Sequence, residues 1–388
     1  MFSSHILVGG TCLAVAVGLA VSSAPTRNAV TGSSIGAMST APVWVSADDG
    51  TNFTCGIQLD HTLWCWGQNN QGQLGLGDTT DRLVPTQVGS RNDWARVAEG
   101  GSHSCGTLLD HSLWCWGQNG QGELGLGDTV DRSVPTQLGS RTDWGHISAG
   151  DRHTCGQLLD GSLWCWGENA VGELGLGDTT NRNVPTQVGS DTNWAHVSAD
   201  TRHTCSTRLD STLWCWGGNE SGELGVGDNE DRHVPTQVGT ATDWAKIRAN
   251  GRHTCAVRSD DTLWCWGANR FGQLGLGDTI ARNAPTQVGT RTDWDGVTVG
   301  KDHTCGTRLD DTSWCWGRNA AGQLGQGDQI NRKHPVQVGR SADWAFLGAG
   351  GRHTCGVRLS HTLWCWGGNG SGQLGLGDTR DRLFPKRV

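Results

Sequence analysis

The chain has 388 residues, a net charge of -8, 60 glycines, 21 tryptophans and no tyrosine. It contains no run of Lys or Arg, so binding to nucleic acid or to an anionic membrane surface, which rests on clustered cations, is not expected. Abundant glycine with aromatic and aliphatic residues at short spacing points instead to short strands and tight turns.

The first 24 residues carry no Asp, Glu, Lys or Arg, and Ile6 to Leu19 is mostly apolar. Small residues at Ser22-Ser23-Ala24 suit cleavage, so residues 1–24 read as a signal peptide. The mature chain is then expected outside the cytoplasm, extracellular or periplasmic, without membrane insertion. Residues 25–43 are rich in Ser, Thr, Ala and Gly and read as a flexible leader.

From Trp44 to Val388 the sequence repeats every 50 residues, seven times. One cysteine series is Cys55, Cys105, Cys155, Cys205, Cys255, Cys305 and Cys355, and a second is Cys65, Cys115, Cys165, Cys215, Cys265, Cys315 and Cys365. Repeats of this kind stack into one architecture, so residues 44–388 are expected to form a single domain.

The second copy serves to read the elements. Ala95 to Glu99 predicts a strand ending at Gly100-Gly101, and His103 to Leu109 a second strand. Asp110-His111 reads as a turn, followed by a third strand from Ser112 to Gly117. A long Gly-rich loop leads to a fourth strand, Pro135 to Leu138, whose proline suits an edge. Four short strands per copy define a propeller blade, and the fold class is an all-β, seven-bladed propeller of antiparallel blades. The last strand either stays in its own blade or completes the first.

In an oxidising compartment the two cysteines of each copy are expected to pair, giving seven disulfides. A two-residue turn at Asp110-His111 sets Cys105 opposite Trp116, so the pairing requires a shift of one residue. His103 and its equivalents offer, with two cysteines, one ligand fewer than a structural zinc site wants, so a hydrogen-bonded role is expected and no metal. Asp78 and Arg82 recur in every copy as an ion pair with a structural role. The series beginning Trp44 and Trp94 precedes the first strand; exposed at a rim, it would offer a platform for sugars.

The loop Gly117-Gln118-Asn119 through Glu123-Leu124-Gly125 to Asp128, the stretch Gly350 to Thr354, and the Trp-Gly ending the third strand resemble the regulator of chromosome condensation repeat. The resemblance covers about nine-tenths of the chain. It implies a seven-bladed propeller, and the exported arrangement resembles the secreted, bacterial type of member, which binds another macromolecule. Family function varies far more than family fold.

Positions that differ between copies are the candidate contacts. Arg208, Arg258, Arg308 and Arg358 occupy a position that is Gln58, Leu108 or Leu158 earlier, while Glu123, Glu173 and Glu223 make one loop position acidic in copies two to four. This suggests a ring with an acidic and a basic side that orients a charged partner. The loop tip Arg270-Phe271 and the series Arg96, His146, His196, Lys246, Gly296 and Phe346 are further candidates. No copy carries a Ser/His/Asp set or an isolated carboxylate pair, so neither an enzyme nor a cofactor is expected. Nor is a deep pocket specific to certain copies and holding a perturbed carboxylate or His. The leading reading is a monomeric, secreted scaffold that binds a protein. A multivalent lectin is the alternative, and nucleotide exchange on a small GTPase comes third, since no inserted segment or basic tail is present.

Overall fold

A computed structural model describes residues 42–388; the proposed signal peptide, the leader up to residue 41 and Cys12 lie outside the described residues. Each copy folds into one sheet of four strands taken in chain order. In blade 1 these are β1 (Trp44–Asp49), β2 (Phe53–Gln58), β3 (Leu63–Gly67) and β4 (Arg82–Gln87). The pattern recurs to blade 7, formed by Trp344–Ala349, His353–Arg358, Leu363–Gly367 and Arg382–Arg387. The described residues are all-β, a ring of seven four-stranded antiparallel blades. The first strand of each blade lies innermost and faces the first strands of its neighbours. Arg382–Arg387 stays in blade 7, so the ring closes without strand exchange.

Two details of the blade differ from the sequence expectation. In blade 2, Leu108 N donates to Ser112 O and His111 N to Leu108 O, both at 3.0 Å, which makes the hairpin loop three residues long. His111 sits at φ 64, the left-handed residue that ends such loops. Leu109 thus belongs to the turn rather than to the strand. The extra residue supplies the required shift of register: Cys105 lies opposite Cys115, with Cα atoms 4.1 Å apart. All seven pairs, Cys55–Cys65 through Cys355–Cys365, form disulfides. The fourth strand starts at Arg132, three residues before Pro135, because Gly117 pairs with Arg132 beyond a bulge. As the outermost strand it tolerates Pro135.

Neighbouring blades are joined by one repeated contact. In blade 3, Thr154 Oγ1 and Trp166 Nε1 both donate to the carbonyl of Glu123, in the Gly-rich loop of blade 2, at 2.9 and 2.8 Å. The Thr154 hydroxyl proton is spent on that carbonyl, so its oxygen accepts from His103 Nε2 of blade 2 at 2.8 Å. Burial, and then the imidazole of His153, depresses the pKa of His103 to about 3, which keeps the ring neutral. Trp166 reaches under the loop because residue 125 is glycine: a Cβ there would stand 2.9 Å from its Nε1. Trp66 and its equivalents therefore wedge against the preceding blade rather than the next. The Asp78–Arg82 pair recurs in all seven blades, within each Gly-rich loop.

The junction of blades 7 and 1 has no chain running across it and carries an extra clamp. Asp49 is 5% exposed; its carboxylate lies 2.9 Å from Thr54 Oγ1 and accepts from Cys355 N of blade 7 at 3.1 Å. His353 Nε2 lies 3.3 Å from the same carboxylate. Gly348 makes room, since a Cβ there would meet Asp49 Oδ2 at 2.8 Å. The residue equivalent to Asp49 is alanine in blades 3, 4, 5 and 7.

Asp49→Ala is expected to lower stability by about 2–4 kcal/mol, because it removes a buried, hydrogen-bonded carboxylate that ties the chain ends together. Ala149→Gly, at the equivalent position of blade 3, is expected to cost far less. Chemical denaturation of the two variants makes the comparison, and equal losses would refute a closure role. Non-reducing intact mass with thiol labelling is expected to find none of the fourteen repeat cysteines reactive. Replacing Cys105 and Cys115 by serine is expected to cost about 2–3 kcal/mol.

Candidate functional site

Antiparallel order sorts the connections onto two faces. The turns between first and second strands share one face with the Gly-rich loops, and the hairpins between second and third strands share the other with the inter-blade linkers. These are the loop face and the hairpin face.

The residues singled out in the sequence separate accordingly. Arg270 and Phe271 lie on the loop face, where the guanidinium groups of Arg270 and Arg318 stand 4.5 and 4.9 Å from the Phe271 ring centre. Asp302 holds both arginines, at 3.7 and 2.9 Å. Arg208, Arg258, Arg308 and Arg358 end second strands, on the hairpin face. Each is stacked between two indoles; Arg258 is 4.5 Å from the Trp244 centroid and 4.1 Å from that of Trp264. Their side chains are only 6–22% exposed, and each meets an aspartate. Cation–π contacts and ion pairs occupy these arginines within the fold.

The acidic side of the expected charged ring is not at the surface. Glu123 and Glu173 are 1% exposed and Glu223 is 5% exposed. Each accepts a backbone N–H of its own loop, as from Gln121 N to Glu123 Oε2 at 2.7 Å. They sit in the loops of one face while the arginines sit on the other, so the two charged series form no common pattern. The Trp44 and Trp94 series is buried too, each residue at most 2% exposed, which removes the sugar platform. Sequence reasoning missed an exposed series at the hairpin tips: Leu59, Leu109, Leu159, Leu209, Leu309 and Leu359 are 53–74% exposed. The signal was present, since the hairpin needed one more residue.

The series Arg96, His146, His196, Lys246, Gly296 and Phe346 does come together. It occupies the third position of successive innermost strands and lines the channel on the axis. The hairpin-face half of the channel is a cavity of about 580 Å³. Arg96, His146, His196, Lys246 and Arg248 line one part of its wall, and Phe346 and Leu347 another. His146 and His196 stack edge to face, with ring centres 6.1 Å apart. Burial, then the charges of Arg248 and Arg96, depress the pKa of His146 to about 3. The same causes lower that of His196.

The loop-face end of the channel is acidic, bordered by Asp49, Glu99, Asp151 and Asp200, with Lys301. Glu99 is 7% exposed, and neither carboxylate oxygen finds an N–H or O–H donor among the described residues. Burial, then the charge of Asp48, pushes its pKa well up, which favours the protonated form of Glu99. At Asp200, burial opposes ionisation, but His203 at 2.8 Å outweighs it and lowers the pKa. The expectation that no copy-specific pocket would hold a perturbed His or carboxylate is therefore overturned. Each group comes from a different copy, and only ring closure brings them together.

Asp49, His353 and Cys355 present ligand atoms within 4.8 Å of one another. Cys355 Sγ is bonded to Cys365, and the other two join the closure clamp, so the trio does not fit a metal ion. No helix among the described residues is long and apolar enough to cross a membrane.

A seven-bladed ring of 50-residue copies, clamped blade to blade through a loop carbonyl, defines a class of propeller. The chain belongs to the RCC1-like domain family, whose pattern it matches over residues 146–388. The Regulator of chromosome condensation (RCC1) repeat matches over 60–106 and 110–156. No curated protein sequence matches the chain. Among solved structures it is similar to yeast RCC1 (Prp20) bound to Kap60, with a TM-score of 0.76, 18% identity and coverage of 94% of this chain and 91% of that one. A second structure of Prp20p, from Saccharomyces cerevisiae and reported with its binding properties to Gsp1p and histones, gives 0.76 and 19% identity, covering 89% and 87%. Human WBSCR16 gives 0.73 and 21% identity, covering 81% and 87%. At these identities the likeness is one of fold.

Glu99 generates a prediction. Its pKa is raised in the fold, so above the ordinary value the folded state binds more protons than the unfolded one, and stability falls as pH rises. Glu99→Gln is expected to raise the melting temperature at pH 7 by about 1–3 °C. At pH 4.5, where the unfolded carboxyl is itself half protonated, the gain is expected to shrink. Thermal melts at the two pH values make the check; a pH-independent difference would contradict the raised pKa of Glu99.

Proposed function

We propose that this chain is an exported, non-enzymatic propeller that binds a protein through the copy-specific side chains of its loop face. The observation that carries the reading is the half-buried ring of Phe271 between Arg270 and Arg318 on that face. Aromatic rings and arginines are the residues that dominate binding energy at protein interfaces. Arg270 is 71% exposed and free to meet a partner, whereas the residues common to all copies are occupied in packing. Seven disulfides support export, since such bonds persist in oxidising compartments. The structure of Prp20p reported with Gsp1p and histones is one of a protein-binding propeller of this family, which favours a protein as partner.

The test is capture of a secreted protein from the native culture medium, followed by measured affinity. Arg270→Ala and Phe271→Ala are each expected to weaken binding by about 2 kcal/mol. They are expected to change folding stability by less than about 0.5 kcal/mol, as surface substitutions do. Undiminished affinity in both variants would move the binding surface elsewhere. Turnover of a substrate, abolished by one substitution in one copy, would overturn the non-enzymatic reading.

A further inference from the structure

We infer that the hairpin-face half of the axial channel is a binding site for a small organic anion, an acid group carried on an apolar body. This site is separate from the loop-face surface around Phe271.

Its volume of about 580 Å³ falls within the ~300–1,000 Å³ typical of small-molecule sites. The cationic part of the wall is built from four blades: Arg96 from blade 2, His146 from blade 3, His196 from blade 4, Lys246 and Arg248 from blade 5. Lys246 is neutralised by Asp295 at 3.1 Å. Arg96 and Arg248 meet no carboxylate within ion-pairing distance among the described residues, and Arg248 donates only to Ile247 O. His146 Nδ1 has no partner among the described residues either. The arginines that end second strands are stacked and paired; these two are neither, although water reaches both in the lumen. Two guanidinium groups without a carboxylate partner and one unpartnered imidazole nitrogen thus face the same part of the lumen. An oxyanion answers all three with charge-assisted hydrogen bonds. The remaining wall, Phe346 and Leu347, is apolar, and Gly296 beside it leaves space for a body that carries the acid. Asp48, at the same strand position as Arg248, and Glu99, one position further along, share the lumen with this wall. The charge of Asp48 already acts on Arg248. The two acids oppose an anion on their side and favour a seat against Arg96 and His146, nearer the hairpin face.

Titration calorimetry with three probes tests the site on the full mature chain. Benzenesulfonate has charge and ring, sulfate has charge alone, and benzyl alcohol has ring alone. Saturable binding of one benzenesulfonate is expected, at least about tenfold tighter than sulfate, with no measurable heat from benzyl alcohol. Arg96→Ala and Arg248→Ala are each expected to weaken benzenesulfonate by about tenfold or more. Melting temperatures are recorded alongside; if Arg248→Ala disturbs the fold, Arg96→Ala carries the result. The proposal fails if benzenesulfonate does not bind at millimolar concentration, if sulfate binds as tightly, or if the arginine variants bind it unchanged. Loss of the anion in Arg96→Ala and Arg248→Ala with partner capture intact supports two separate sites, as does loss of capture in Arg270→Ala and Phe271→Ala with the anion still bound.

Discussion

The fold depends on one backbone carbonyl per blade. The carbonyl of Gln73, Glu123 and their equivalents accepts an indole N–H and a hydroxyl from the next blade, both near 2.9 Å. A carbonyl has two lone pairs, and both are used. The Gly-rich loop delivers that oxygen, and its glycines permit the approach of the indole. The side chain at the same residue turns inward to accept its own loop's N–H, so Gln and Glu serve equally. That explains why a change of formal charge at this position has no external consequence. It is a substitution inside a hydrogen-bonded loop.

Much of this was legible as periodicity. A constant spacing of 50 fixed the number of blades, and a constant spacing of ten paired the cysteines once the register was right. The turn was misread because Asp110-His111 resembles a two-residue turn; only the cysteine pairing, which required a shift of one residue, hinted that Leu109 lies outside the strand. A leucine at a turn tip reads as strand when only its polarity is considered. The structure leaves it 53% exposed and puts the left-handed backbone at His111. The same error hid the exposed leucine series. The polarity of Arg208 and its equivalents misled in the opposite direction: a guanidinium between two indoles is an interior group despite its charge.

The axial site was legible only in part, and for a different reason. The series Arg96 to Phe346 stood out as variable, but not as sharing one channel with Asp48, Glu99 and Arg248. Catalytic and binding motifs are sought as clusters along the chain, but Asp48, Glu99, His146, His196 and Arg248 are separated by as much as 200 residues. Each looks like drift within its own copy. A closed ring converts the same position in successive copies into one wall, so a series down the repeat becomes a constellation in space. The useful reading of a propeller sequence is therefore by column. The column Ser46, Arg96, His146, His196, Lys246, Gly296, Phe346 carries nitrogen-bearing side chains in four successive members, and the column containing Asp49 and Glu99 is acidic in two and otherwise apolar.

Closure completes the argument. A propeller that shares a strand between its first and last blades fastens the ring with backbone hydrogen bonds. This chain keeps its last strand in blade 7, so no shared ladder joins blade 7 to blade 1. Side chains and single backbone bonds, such as Trp44 N to His361 O at 3.0 Å and Gly377 N to Leu83 O at 2.8 Å, fasten the two. The common clamp is present there, with Thr54 Oγ1 and Trp66 Nε1 both donating to Gln373 O. Every other junction also has a covalent linker that holds its two blades close together. The missing linker raises the entropic cost of that one interface, and a buried carboxylate bonded to both blades offsets it. Asp49 can do so only because Gly348 stands opposite, and that pairing is found in no other junction: a glycine in one copy and an aspartate in another, nearly the length of the ring apart in sequence and in contact only when the ring is shut.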